Sequence, residues 1–297
     1  MKQFIGSPCS DVNELLSSDV PWYYTESPSE RITENIPPYR NFVTEYASSD
    51  HPDNWVDPKK FYHNDVSSTI YRLPKNSFNY AWNNNGFRTN DFSTIDMNKP
   101  KSIFLGCSFT SGIGLPERDI WATKVYNHLK TKNKNMQYIN LGVAGTSIDY
   151  ITLIASKAIS KWKPDHVFLY TPPENRFMYT KTHQNQTSIA WMQAGNLHNN
   201  VGVIGDALAK VWFKPLKGID EYVKFMRDTN IEYINTFCKL SGATFTYVIN
   251  DEFLKEMRKK DDIFPWRVVA RDGSHYGEPY HRNLAKRFIN KLEKTNE

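Results

Sequence analysis

From residue 101 onward, short apolar runs alternate with amphipathic stretches of helical period. Ser102–Gly106 is followed by a helical pattern over about Ile120–Lys130, and Gln137–Leu141 by one over about Ile148–Ser160. His166–Thr171 is followed by a long helix over about Asp220–Leu240, then the run Ala243–Ile249 and a last helix over about Pro279–Glu293. Short strand runs separated by helices predict an α/β fold with a parallel sheet buried on both faces. The stretch from about Met178 to Lys217 breaks this alternation and reads as an insertion between strand and helix. Residues 1–97 have another texture, rich in Ser, Asn, Asp, Pro and aromatics, with clusters such as Pro21-Trp22-Tyr23-Tyr24 and Pro37-Pro38-Tyr39. Periodic apolar segments are scarce there, which predicts an extended arm wrapping the main body, with strand fragments at Ser67–Leu73 and Phe78–Trp82. The expected organisation is an N-terminal arm or accessory region, 1–97, and a main domain, 98–297. No internal repeat is visible.

Composition narrows the picture only a little. Of the 297 residues, 39% are hydrophobic, and 17 Phe, 17 Tyr and 8 Trp supply large buried areas that argue against disorder. The net charge of +5 comes without a concentrated basic stripe, and the densest run, Lys255–Lys260, is broken by Glu256 and Met257. That run reads as a solvated helix face, and a nucleic-acid partner is not expected. Cys9, Cys107 and Cys238 lie far apart with no Cys-x-x-Cys, which excludes a disulfide framework and a zinc ribbon. With no apolar run of signal-peptide or membrane-spanning length, the expectation is a cytoplasmic protein as synthesised, with no membrane partner.

Candidate chemistry gathers where the strand runs end. Gly106-Cys107-Ser108 follows the first run, and in an open parallel sheet a Ser just past a strand end is held up toward solvent, where ligands bind. The same pattern also suits a helix N-cap. A phosphate loop is discounted, because the Lys-Ser/Thr pair it needs is missing. The second run ends in Gly142-Val143-Ala144-Gly145-Thr146-Ser147, small residues that let backbone N–H groups approach a ligand. The third ends in Pro172-Pro173-Glu174-Asn175-Arg176, presenting Asn175 at the same edge as an oxyanion donor or a turn cap. Asp272 and His275 stand three residues apart before the last helix. A carboxylate that orients a His, with that His deprotonating a Ser, is the logic of nucleophile activation.

In that order and spacing these four blocks resemble the SGNH (GDSL-like) hydrolase superfamily, over about Lys101–Leu292. Upstream, Asn84-Asn85-Gly86-Phe87-Arg88 is similar to a segment that often precedes this domain. The resemblance implies a three-layer α/β/α, flavodoxin-like fold. It implies Ser108 as nucleophile, His275 as general base and then acid, and Asp272 as the group that holds the imidazole in its working tautomer. The oxyanion hole would be the N–H groups of Ser108 and Gly145 with the Asn175 amide. Neither a metal nor an organic cofactor is implied.

Two departures from the family pattern matter. Cys107 stands where the family's motif has Asp, and a thiol beside a catalytic His is itself a candidate nucleophile, although a sharp turn presents one side chain at its apex and sends its neighbour into the sheet. The third block keeps Asn175 and little else, and Glu174 either brings a second carboxylate toward the pocket or pairs with Arg176. His281, at the start of the last helix, and His166, before the third strand, read as structural. The expected pocket wall is Arg176–Lys217, with Tyr179, His183, Trp191, Met192 and Trp212, and Glu174, Arg176 and Trp191 are the expected substrate contacts. Aromatic faces in a polar insertion suit a sugar better than a long acyl chain, so the expected partner is a small-molecule or glycan ester, cleaved by a carbohydrate O-acetylesterase or related short-acyl esterase. Two other classes fit the same scaffold. One is a catalytically silent carbohydrate-binding protein, and the other a structural subunit of a larger viral or cell-surface assembly that makes contacts through the N-terminal arm.

Overall fold

The computed structural model describes residues 42–45, 50, 52, 71–72, 78–83, 85–174, 176–183, 186–193, 219–259, 268–273 and 275–295. In chain order the strands are β1 (Phe42–Thr44), β2 (Tyr71–Arg72), β3 (Tyr80–Trp82), β4 (Lys101–Gly106), β5 (Gln137–Gly142), β6 (His166–Tyr170), β7 (Arg176–His183), β8 (Gln186–Gln193), β9 (Thr244–Val248) and β10 (Val268–Val269). The helices are α1 (Ser108–Ser111), α2 (Trp121–Lys132), α3 (Ile148–Trp162), α4 (Ile219–Ser241), α5 (Asn250–Lys259) and α6 (Glu278–Thr295).

The central sheet has the order β5-β4-β6-β9 and is parallel throughout. Every residue of β4 is buried, as a strand covered on both faces requires. Because side chains alternate along a strand, the two cores separate by residue parity. Ile103, Leu105, Ile139, Leu141, Val167 and Leu169 meet α3 and α4 on one face. Phe104, Phe168, Tyr170 and Val248 meet α2, α5 and α6 on the other. The molecule is therefore the three-layer α/β/α fold expected. Helix α3 forms because Ile148, Ile151, Ile154, Ala155, Ala158, Ile159 and Trp162 recur at helical spacing and are all buried. On the opposite face Trp121 stacks on Phe288 with ring centres 4.3 Å apart, joining α2 to α6.

The chain leaves β4 to one side for β5 and returns to the other for β6, so the strand order reverses beside β4. In open α/β sheets such a reversal marks where ligands bind, here beyond the carboxyl ends of β4 and β6. Outside the main sheet, β1 pairs antiparallel with β3, β2 pairs parallel with β10, and β7 and β8 form an antiparallel hairpin. The hairpin occupies the start of the stretch expected as an insertion, whose remainder, 194–218, lies outside the described residues. Of the two strand fragments expected upstream, Tyr71–Arg72 and Tyr80–Trp82 are strands, and 67–70 lie outside the described residues. Phe87 is buried in the α3-side core with Phe92 and Ile95 against it, and the Phe92 ring lies 4.8 Å from that of Trp162. Among the described residues no helix is long and apolar enough to cross a membrane.

Candidate active site

Strand β4 ends at Gly106, where a side chain would sit 2.7 Å from the Tyr170 carbonyl oxygen. Only glycine allows so close a passage of two backbones. Cys107 then caps α1, its carbonyl accepting the N–H groups of Thr110 (2.9 Å) and Ser111 (3.0 Å). The short helix is seated on β5: the Asn140 side-chain amide donates to the Thr110 carbonyl at 2.8 Å, and a Cβ on Gly142 would lie 2.3 Å from the Ser111 nitrogen. Ser108, the first residue of α1, is thereby fixed at the carboxyl end of the sheet.

His275 comes from the loop between β10 and α6. That loop is closed by Ala270 N–H to the His275 carbonyl (2.9 Å), by Gly273 N–H to the Ala270 carbonyl (3.0 Å), and by Gly277 N–H to the Val268 carbonyl (2.8 Å). Asp272 Oδ1 accepts the His275 backbone N–H at 3.0 Å, while its Oδ2 lies 2.5 Å from His275 Nδ1. One carboxylate thus holds both the backbone and the ring of the residue three positions on. His275 Nε2 lies 2.8 Å from Ser108 Oγ. With a proton on Nδ1 facing Asp272, Nε2 is left to accept the hydroxyl proton. Asp272 is fully buried, and the His275 side chain retains 16% of its surface. The carboxylate is dry and the imidazole edge is wet.

The ring of Phe109 stands edge-on to His275 at 5.3 Å and packs against Tyr276 and Tyr280. Below it Tyr170 and Tyr280 share a short hydroxyl contact, and Tyr170 donates to Asn250 Oδ1 at 3.1 Å. Burial, then Tyr280, pushes the Tyr170 phenol well above its ordinary range and keeps it protonated.

Ser108, Asp272 and His275 are thus brought into one hydrogen-bonded chain. Gly145 lies three residues beyond Gly142, which pairs in register with Gly106, so its loop rises from the same sheet edge as Ser108. It is partly exposed and holds a left-handed φ of 79°. Among the described residues neither the Ser108 nor the Gly145 N–H donates a hydrogen bond. Asn175 lies outside the described residues, as does Trp212. Trp191 and Met192 are on β8, and Tyr179 and His183 on β7, with Trp191 opposite Met178. Glu174 does not pair with Arg176. It forms an ion pair with Arg227 of α4, whose side chain is only 6% exposed. The long-range partner wins because Arg227 arrives on a helix already anchored in the other layer. Arg176 is half-buried, and among the described residues its Nη1 has no hydrogen-bond partner.

Cys107 is fully buried, whereas the Ser108 hydroxyl faces His275. His281 is also buried and its Nδ1 accepts the Trp121 N–H at 3.1 Å, closing the start of α2. Burial first, then the neighbouring His275 and Lys124, lowers its pKa to about 3, so it stands neutral. His166 begins β6 at the opposite end of the sheet, half-buried beside the ring of Phe168. Among the described residues no group of three or more His, Cys, Asp or Glu side chains could hold a metal ion. Phe109, Asp50, Tyr80 and Arg271 border this loop cluster without having been singled out by sequence. Phe109 lay within the first motif, Tyr80 within the expected strand fragment Phe78–Trp82 and Arg271 beside Asp272 in the fourth block, while Asp50 carries no local signal.

No family model matches the chain, and no curated protein does. Among solved structures it is similar to TesA, with 10% identity, a TM-score of 0.37, and coverage of 65% of this chain and 98% of that one. It is similar also to Axe2, an acetylxylan esterase from Geobacillus stearothermophilus, with 14% identity, a TM-score of 0.35, and coverage of 67% and 95%. Identity and superposition are both weak, so function must be read from this chain's own side chains.

Proposed function

We propose that this chain is a serine ester hydrolase of the SGNH type that removes a short acyl group, with a carbohydrate O-acetyl ester as its substrate class. The supporting observation is the chain Ser108 Oγ, His275 Nε2, His275 Nδ1, Asp272 Oδ2, with links of 2.8 and 2.5 Å. Ser108 Oγ attacks the acyl carbon as its proton passes to His275 Nε2, and buried Asp272 stabilises the imidazolium. Negative charge on the former carbonyl oxygen is received by the N–H groups of Ser108 and Gly145 and the Asn175 amide, each such donor being worth about 3 kcal/mol in the transition state. His275 returns the proton to the departing alcohol, leaving an acyl-Ser108. Water, deprotonated by His275, then releases the acid and restores the hydroxyl. The hairpin β7–β8, whose register puts Arg176 and Trp191 on one face and Tyr179 on the other, follows directly on the third sheet-edge loop, and its Arg176–Trp191 face is the proposed sugar-facing wall.

Labelling with a fluorophosphonate followed by mass mapping tests the reading. Modification at Ser108 that disappears in His275→Ala supports it, together with hydrolysis of p-nitrophenyl acetate and of acetylated glycans in preference to long-chain esters. Binding of glycans without turnover or labelling would favour the silent scaffold.

A further inference from the structure

Two loops carry the proposed machinery, and a buried ring of hydrogen bonds from the N-terminal region ties them together. Asp50 accepts Arg271 Nε–H at 3.2 Å on Oδ1 and 2.9 Å on Oδ2, and Nη2–H at 2.7 Å on Oδ2. The Tyr80 hydroxyl donates to Asp50 Oδ2 at 2.6 Å and accepts the Gly114 N–H at 2.6 Å. Gly114 closes the ring, its carbonyl accepting the Arg271 backbone N–H at 3.0 Å. Arg271 Nη1 also donates to the Phe78 carbonyl at 3.2 Å, and its guanidinium lies 4.0 Å from the centre of the Phe78 ring. Asp50, Tyr80 and Arg271 have no exposed surface.

Each member abuts the site. Arg271 precedes Asp272, and Gly114 follows α1, at whose end the carbonyls of Ser111 and of Gly112, the residue after it, accept Arg88 Nη1 at 3.2 and 2.7 Å. A Cβ on Gly114 would lie 3.2 Å from Asp272 Oδ1, so the two loops touch at the carboxylate itself. A buried ion pair with every polar atom engaged is directional and hard to shift, because any sliding leaves a desolvated charge unpaired. We infer that Asp50, Tyr80 and Arg271 form a positioning clamp that fixes the loop of Asp272 and His275 in register with Ser108. The N-terminal region is then part of the site's framework. The clamp rests on the esterase reading only where labelling or turnover is the readout.

The test compares full-length Tyr80→Phe, which removes one hydroxyl and keeps the ring, with Ile159→Val on α3 as a control of similar stability loss. Asp50→Asn is the stronger second variant. Three quantities are measured: the fluorophosphonate labelling rate at Ser108, kcat and KM on p-nitrophenyl acetate, and the ring ¹⁵N signals of His275, which report protonation and hydrogen bonding at each nitrogen. Tyr80→Phe should slow labelling and lower kcat about tenfold with KM unchanged, as a small misplacement does, and should move the His275 ring signals. Ile159→Val should change none of these. Wild-type labelling and ring signals in folded Tyr80→Phe would overturn the clamp, as would equal changes in the control. The ring signals need no ester, so a wild-type protein that neither labels nor turns over defeats the esterase reading while the clamp is still decided.

Discussion

At the residue scale, Cys107 and Ser108 are adjacent yet face opposite surroundings, one sealed under the turn and the other bonded to His275. Ser108→Ala should lower kcat on p-nitrophenyl acetate by about 10⁵-fold with the far-ultraviolet circular dichroism unchanged. Cys107→Ala should keep its rate within about threefold and lose about 1–2 kcal/mol in urea titration, since it removes only a buried sulfur. Retained activity in the first, or its loss in the second, would reassign the nucleophile. His281 supplies a signature in acid. Its pKa falls from 6.5 to about 3 on folding, so the folded state binds its proton less tightly, and stability present above pH 6.5 is lost as pH falls toward 3. Unfolding followed by urea at stepped pH should show a slope approaching about 1.4 kcal/mol per pH unit in that window. His281→Asn, which keeps an acceptor near Trp121 N–H, should lose that contribution. The proposed triad was legible because each member sits in a short local motif at a strand end or before a helix. The partner of Glu174 was not, since Arg227 is 53 positions away and many cations compete on paper.

At the element scale, the burial period gave the sheet and its covering helices, with boundaries within a residue or two. Helix α5 was read only from its solvated face at Lys255–Lys260, without its bounds, because Phe253, Leu254 and Met257 alone mark its inner face. The hairpin β7–β8 was read only as the start of an insertion, because its connection, 184–185, lacks the Asn-Gly or Gly-rich pair that marks a tight turn. The seating of α1 on β5 carries a test of its own. Gly142→Ala places a methyl group against backbone at 2.3 Å, so α1 must lift. A loss of about 1–3 kcal/mol in thermal unfolding is expected from overpacking. A fall in kcat exceeding any change in KM should accompany it, because the displaced atom is Ser108 Oγ. Unchanged kinetics in a destabilised Gly142→Ala would mean that α1 tolerates the shift.

At the scale of the whole molecule, texture and packing part company. Described residues of the Asn- and Pro-rich region before residue 97 make contacts far along the chain, which no periodicity can register. Phe87 enters the main core, and Asp50 meets Arg271 across 221 positions. Breaking a buried pair of this kind by removing one partner typically costs about 3–5 kcal/mol. Loss of the Asp50 carboxylate should therefore lower the unfolding midpoint far more than loss of an exposed pair such as Lys239 with Glu232.

The span between Ser108 and His275, 167 positions, also sets a time order. A ribosome must add the chain through His275 before the Ser108 hydroxyl meets its proposed base, so a shorter nascent chain carries Ser108 without that partner. Long-range closure is the slow part of folding. In refolding from urea, helical circular dichroism should recover before fluorophosphonate reactivity, and simultaneous recovery would place Ser108 and His275 together at the start. The proposed acyl transfer would then be confined to chains in which the Ser108 and His275 segments have already met.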